Sequence, residues 1–267
     1  MKRISFFNCS LMLAVLVSGL VFTGCSETTR EGLTPNRLSL FVGESATLSY
    51  VGDSKCRWSS AEPLIASVTQ TGVVTGELVG KTTVKANNLS CDVTINPKYD
   101  TYYEPCMKWG CAQPTVQNHM YGYDEMDDSD YKSLSYKGKG KVLFYLYTFE
   151  NGKLDISGLA ISSSYASEIG SFLSERYIPV SIDEDDYTIS FADYKKSTLV
   201  IVKVYSTSTL LIAYTKYPTS NSTRSIDVTE DLSKSLSHKA VNASGVDSAS
   251  MDELLETIKS QFKQIKE

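Results

Sequence analysis

Cysteines and aspartates are the residues best equipped for chemistry in this chain, which holds only two histidines, His119 and His238. Cys56, Cys91, Cys106 and Cys111 can pair as disulfides, ligate a metal or exchange electrons. No two of them have Cys-x-x-Cys spacing, and the histidines lie in unrelated segments, which disfavours both a zinc site and a thioredoxin-like redox centre. An even set points instead to two disulfides, with the pairing open at this stage. Asp128 with Asp130, and Asp183 with Asp185, place carboxylates at i and i+2 as calcium loops do. Neither run has the glycine and terminal glutamate of an EF-hand, and aspartate is common where a helix stops and a strand starts, so solvated turns are expected. No serine or cysteine stands in a nucleophile motif, and we expect no enzyme, no cofactor and no metal. A carboxylate pair for glycoside hydrolysis needs only two acids brought together by the fold, and it stands as a rival reading.

The elements that must carry these residues begin with an address. Lys2 and Arg3, an apolar run from Leu11 to Phe22, and small residues before Cys25 follow the order of a secretory signal. The run is too short to span a bilayer comfortably. Phe22-Thr23-Gly24-Cys25 resembles the lipobox of bacterial lipoproteins, with Phe22 in place of the usual Leu. The resemblance implies cleavage after residue 24 and acylation of Cys25, palmitate included, which together anchor the chain durably in a membrane, expected to be the outer membrane. Cys9 then leaves with the signal and Cys25 is spent on lipid, so the other four cysteines are expected to be structural in an oxidising compartment. Signal removal takes away two basic residues and no acid, leaving a chain more acidic than the −5 of the full sequence. Nucleic acid and anionic lipid headgroups are poor partners for it.

After a tether at residues 25–32, residues 33–97 read as closely spaced short strands of a sandwich. Leu38, Leu40 and Val42 alternate before Gly43-Glu44, and Cys91, Val93 and Ile95 alternate at the end, each set placing one apolar face inward. Pro35, Gly43-Glu44, Trp58-Ser59-Ser60, Pro63, Ile65-Ala66, Val68, Gly72-Val73-Val74, Gly80 and Thr82-Thr83-Val84 resemble the pattern of the group 2 bacterial immunoglobulin-like domain. The resemblance implies a spacer in a surface protein, with little concave surface for chemistry. Within such a sandwich Cys56 shares a strand face with Trp58, and Cys91 with Val93 and Ile95, so a core bridge between Cys56 and Cys91 is expected, although the family usually lacks one.

Residues 98–217 form a second unit, opened by Tyr99, Tyr102 and Tyr103 and by a loop from Cys106 to Cys111 that looks like a disulfide staple. Two segments then follow one order: helix, acidic turn and three strands. In the first, Pro114 sits where a helix can begin, Val116 and Met120 share a face, and Asn151-Gly152 is a strong hairpin signal. In the second, Tyr165, Ile169, Phe172 and Leu173 form a helical face, Pro179 ends the helix, and strands run near residues 187–191, 199–205 and 210–217. Trp109-Gly110, the short helix with Val116, and the run from Val142 through Phe149 to Leu154 loosely resemble the tandem repeats of β-lactamase inhibitory protein and small outer-membrane assembly lipoproteins. That resemblance implies a protein-binding sheet face. Nine tyrosines between Tyr99 and Tyr147 offer stacking surfaces for sugar or anchors for a protein.

Residues 218–250 are rich in Ser, Thr, Asn and Asp and read as a flexible linker. Residues 251–267 read as an amphipathic helix, capped by Ser250 with Glu253, whose stripe is Met251, Leu255, Ile258, Phe262 and Ile265. The expectation is therefore a mainly β chain: an immunoglobulin-like sandwich, then an α+β domain of two helix-plus-three-strand antiparallel repeats. Its expected function is that of a lipid-anchored, surface-exposed lipoprotein acting in adhesion or ligand binding, with a protein or glycan as partner. The alternative is a periplasm-facing envelope assembly or enzyme-inhibiting protein.

Overall fold

The computed structural model describes residues 30–52, 55–218 and 256. Cys25 and its signal lie outside them, as do nearly all of the linker and, save for Glu256, the C-terminal stripe. No helix among the described residues is long and apolar enough to cross a membrane.

The first unit is built from β1 (Gly32–Thr34), β2 (Arg37–Phe41), β3 (Ser45–Thr47), β4 (Ser49–Val51), β5 (Trp58–Ser60), β6 (Ala66–Val68), β7 (Val73–Gly76), β8 (Gly80–Ala86) and β9 (Leu89–Asn96). One sheet has the order β2-β9-β8-β5, another β3-β7-β6, and β1 pairs with β4. The strands are short and alternate, so each contributes one or two side chains inward, and together Leu40, Leu48, Trp58, Ile65, Val84 and Val93 form one core across the sheets. Gly72 is what lets a turn close over that core. Its φ is +82°, and a Cβ there would lie 2.7 Å from both the Leu48 carbonyl oxygen and the Trp58 ring.

The second unit runs α1 (Gln113–His119), β10 (Ser133–Lys137), β11 (Val142–Glu150), β12 (Lys153–Ser162), α2 (Ala166–Ser174), β13 (Ile178–Asp183), β14 (Thr188–Ala192), β15 (Thr198–Ser206) and β16 (Thr209–Lys216). All seven strands join one antiparallel sheet in the order β10-β11-β12-β16-β15-β14-β13. Two differences from the sequence expectation follow. The segments do not make separate three-stranded sheets, because β12 and β16 pair and fuse them. The second segment also has a fourth strand, since Ile178, Val180 and Ile182 belong to β13, and Pro179 sits inside this edge strand instead of merely ending a helix. The Asn151-Gly152 hairpin forms with both residues at positive φ, as a type I′ turn requires. Both helices pack on the same sheet face: Val116 from α1 and Ile169, Phe172 and Leu173 from α2 share a core with Tyr145, Val200, Ile212 and Tyr214.

Glu175 fixes the chain where the first unit passes into the second. Glu175, directly after α2 and only 5% exposed, accepts hydrogen bonds from the Lys98 N–H at 3.0 and 2.9 Å and from the Tyr99 N–H at 3.1 Å. Its own carbonyl accepts from the Val79 N–H of the sandwich at 2.7 Å. Tyr194, in the turn between β14 and β15, packs against the sandwich core from the other unit.

Candidate functional site

The tyrosines divide sharply once the chain folds. Tyr102 is buried against Phe172, with ring centroids 4.3 Å apart, and shares a 2.6 Å hydroxyl hydrogen bond with Tyr214. Burial pushes the Tyr102, Tyr147 and Tyr214 hydroxyls well above the ordinary phenol range, and raises those of Tyr136, Tyr145 and Tyr177 as well. These phenols stay neutral at physiological pH and serve the core as hydrogen-bonding packing groups.

Tyr103, the very next residue after Tyr102, points the opposite way and is 47% exposed. Its ring stacks on His119 at the end of α1, centroids 4.9 Å apart, and on Tyr123 at 6.0 Å. Each neighbour is held in turn. The His119 Nε2 lies 3.0 Å from the Glu104 carbonyl oxygen, and Tyr123 meets the buried Tyr145 edge-on at 5.6 Å. Lys139 places its ammonium 4.5 Å from the Tyr123 ring centroid while donating to the Gly122 carbonyl at 2.6 Å. The backbone under Tyr103 is fixed too, since its carbonyl accepts from the Tyr145 hydroxyl at 2.9 Å. Tyr121, 90% exposed, projects from the turn that follows α1. The result is a platform of flat side chains backed by the core and flanked by a cation. Such a surface suits the face of a sugar ring or an apolar protein anchor.

The acidic turns use their carboxylates internally. Asp130 accepts from the Lys132 N–H at 2.8 Å and the Ser133 N–H at 2.7 Å, bonds that hold its carboxyl below the usual carboxylate range. Asp128 accepts from the Ser135 hydroxyl at 2.7 Å. Asp183 accepts from the Asp186 N–H at 3.1 Å, and Asp186 pairs with Lys203 at 2.6 Å. Among the described residues no three of His, Cys, Asp and Glu converge as a metal site.

No S–S bond joins the four described cysteines, and the fold treats the two pairings expected from the sequence, Cys56 with Cys91 and Cys106 with Cys111, differently. β5 begins only at Trp58, so strand alternation does not carry back to Cys56, which sits half-buried at the core margin near Glu31. Cys106 and Cys111 lie close enough that the Cys106 thiol raises the cost of ionising Cys111. Burial pushes the Cys56, Cys91 and Cys111 thiols up, which lowers the thiolate fraction at neutral pH. In the native reduced protein, Cys56 and Cys111 are expected to take an alkylating reagent slowly, with Cys91 and Cys106 protected until unfolding. Mass spectrometry of partially labelled protein checks this, and early labelling of Cys91 would contradict it.

Grooves also lie on the described surface. One crosses the outer side of β2, β9 and β8 near Arg37, Lys81 and Asp92; another lies beside Trp109, Glu150, Lys153 and Asp155. A search among curated proteins finds no match to the chain. Residues 29–88 match the family model of the bacterial Ig-like domain (group 2), a segment that covers β1 to β8.

Proposed function

We propose that the protein is a non-enzymatic, lipid-anchored surface lipoprotein in which the immunoglobulin-like domain serves as a stalk and the seven-stranded unit carries the ligand-binding surface. The observation that carries the reading is the Tyr103–His119–Tyr123 stack, solvent-facing yet braced from beneath by Tyr145. Domains of the matched family occur in surface proteins, and the lipobox sequence around Cys25 supplies the anchor. A rigid aromatic platform binds with little ordering cost, because its side chains are already held by one another. The Glu175 contacts orient this platform relative to the stalk.

A binding screen of the chain from Ser26 onward, against polysaccharides and extracellular proteins, tests the proposal when run beside a Tyr103→Ala, Tyr123→Ala double variant. The expected result is a ligand whose affinity falls at least tenfold in the variant while the melting temperature holds within a few degrees. Ligand binding that ignores both tyrosines would remove the platform from the function. Loss of the protein from intact cells on protease shaving is the expected companion result. Retention behind the outer membrane would favour the periplasm-facing alternative.

A further inference from the structure

We infer that the second face of the seven-stranded sheet, opposite the helices, is the seat of the chain's own C-terminal segment from Met251 to Ile265. Leu146, Ile156, Ala160, Ile201, Leu211 and Ala213 form a cluster there, and none is more than 4% exposed. Every member of that cluster, and each partly buried residue packed against it, comes from the sheet strands or from Tyr217 at their end. The described helices both pack on the other face. Lateral neighbours in a sheet stand side by side at about 4.8 Å and leave the outward ends of Leu and Ile open to water. Burial this complete requires a second layer. The strands say the same in their sequence: Leu199-Val200-Ile201-Val202 and Leu210-Leu211-Ile212-Ala213 are apolar at consecutive positions, the signature of strands covered on both faces.

The chain supplies one segment suited to the role. Residues 219–267 follow β16, which occupies the middle of the sheet order and contributes Leu211 and Ala213 to the buried face. Tyr217, at the point of departure, already packs against the cluster. Spacing of four and three residues puts Met251, Leu255, Ile258, Phe262 and Ile265 on one helical stripe. Glu256 is helical and solvent-exposed, and it falls on the side of that helix away from the stripe. As a helix the stretch from Met251 to Ile265 extends about 22 Å, and four neighbouring strands span about 14 Å, so it can lie across β11, β12, β16 and β15. The intervening residues 218–250 impose no limit on reach. An apolar sheet face thereby becomes core, and the surface left for ligands is the aromatic platform and its surroundings.

Photocrosslinking tests this in the full chain purified in detergent, with Phe262 replaced by p-benzoylphenylalanine. Crosslinks are expected within one chain and into peptides covering residues 142–162 and 198–217. Crosslinks into α1 or α2, into the apolar run from Leu11 to Phe22, or between differently isotope-labelled copies would each overturn it. A chain ending at Ser250 provides a second readout: it is expected to bind a hydrophobic dye several-fold more strongly than the full chain, and a peptide of residues 251–267 added in trans is expected to reverse the gain. Equal dye binding by the two chains would also overturn the inference. Should the shortened chain fail to fold, the crosslink map decides alone.

Discussion

Replacing Glu175 by alanine is expected to destabilise the protein by about 2 kcal/mol and to loosen the chain at Lys98 and Tyr99, where the second unit begins. The carboxylate is almost fully buried and satisfies the backbone N–H groups of Lys98 and Tyr99. Truncation leaves those donors without their acceptor, and a donor left unsatisfied costs about 1–3 kcal/mol when buried, less where water can reach it, as at the exposed Lys98 and Tyr99. Arg176, 3.6 Å from the same carboxylate, is less affected, since it also donates to the Phe172 and Tyr99 carbonyls at 2.9 and 3.1 Å. Glu175→Gln keeps an acceptor oxygen and is expected to lose only about 1 kcal/mol. Calorimetry checks both variants. The alanine protein should melt about 6 °C lower, whereas an unchanged transition would dismiss the role given to the carboxylate.

The second large effect is expected at Trp58. Trp58→Ala removes the largest side chain of a sandwich core that otherwise relies on residues such as Leu40, Ile65, Val74 and Val93. A buried tryptophan truncated to alanine costs about 3–5 kcal/mol. That approaches the whole stability of a domain of this size, which buries proportionally little surface. The indole also braces its neighbours. Gly72 folds against the ring. The expected outcome is a first unit open to protease within residues 33–97 while a fragment covering residues 98–217 persists. Survival of the sandwich under conditions that spare the wild type would show that the cavity collapses at little cost.

These two residues were unequally legible. Trp58 stands in a run with Ser59-Ser60 and in register with alternating strands, so its inward orientation follows from the pattern around it. Glu175 carries no such mark. Its partners lie 77 and 76 residues earlier in the chain, and an acidic residue after an amphipathic helix reads as a solvated terminus. β13 was hidden for a related reason. Ile178, Val180 and Ile182 alternate, yet Pro179 between them dominates as a helix terminator, and only a place at the sheet edge makes a proline tolerable in a strand. Half-exposed Val180 and Ile182 remain on that edge, where Pro179 and the acidic turn from Asp183 to Asp186 discourage pairing with another chain.

The tyrosines make the same division within a single residue type. Composition shows that they are abundant between Tyr99 and Tyr147, and the alternation of Tyr145 and Tyr147 with Leu146 shows that two sheet faces must accept large side chains. Which face receives α1 and α2, and hence why Tyr102 is buried while its neighbour Tyr103 stacks in solvent on His119, depends on how distant segments dock.

By itself the sequence determined the sandwich, the Asn151-Gly152 hairpin and the apolar face of α2, because each is written in periods and turns spanning a few residues. Tertiary structure alone decided the fused seven-stranded sheet, the Glu175 contacts, the neighbouring placement of Cys106 and Cys111 and the aromatic platform. Each of these rests on contacts across dozens of residues, and local backbone preference carries no information about which remote donor, ring or strand will arrive to complete them.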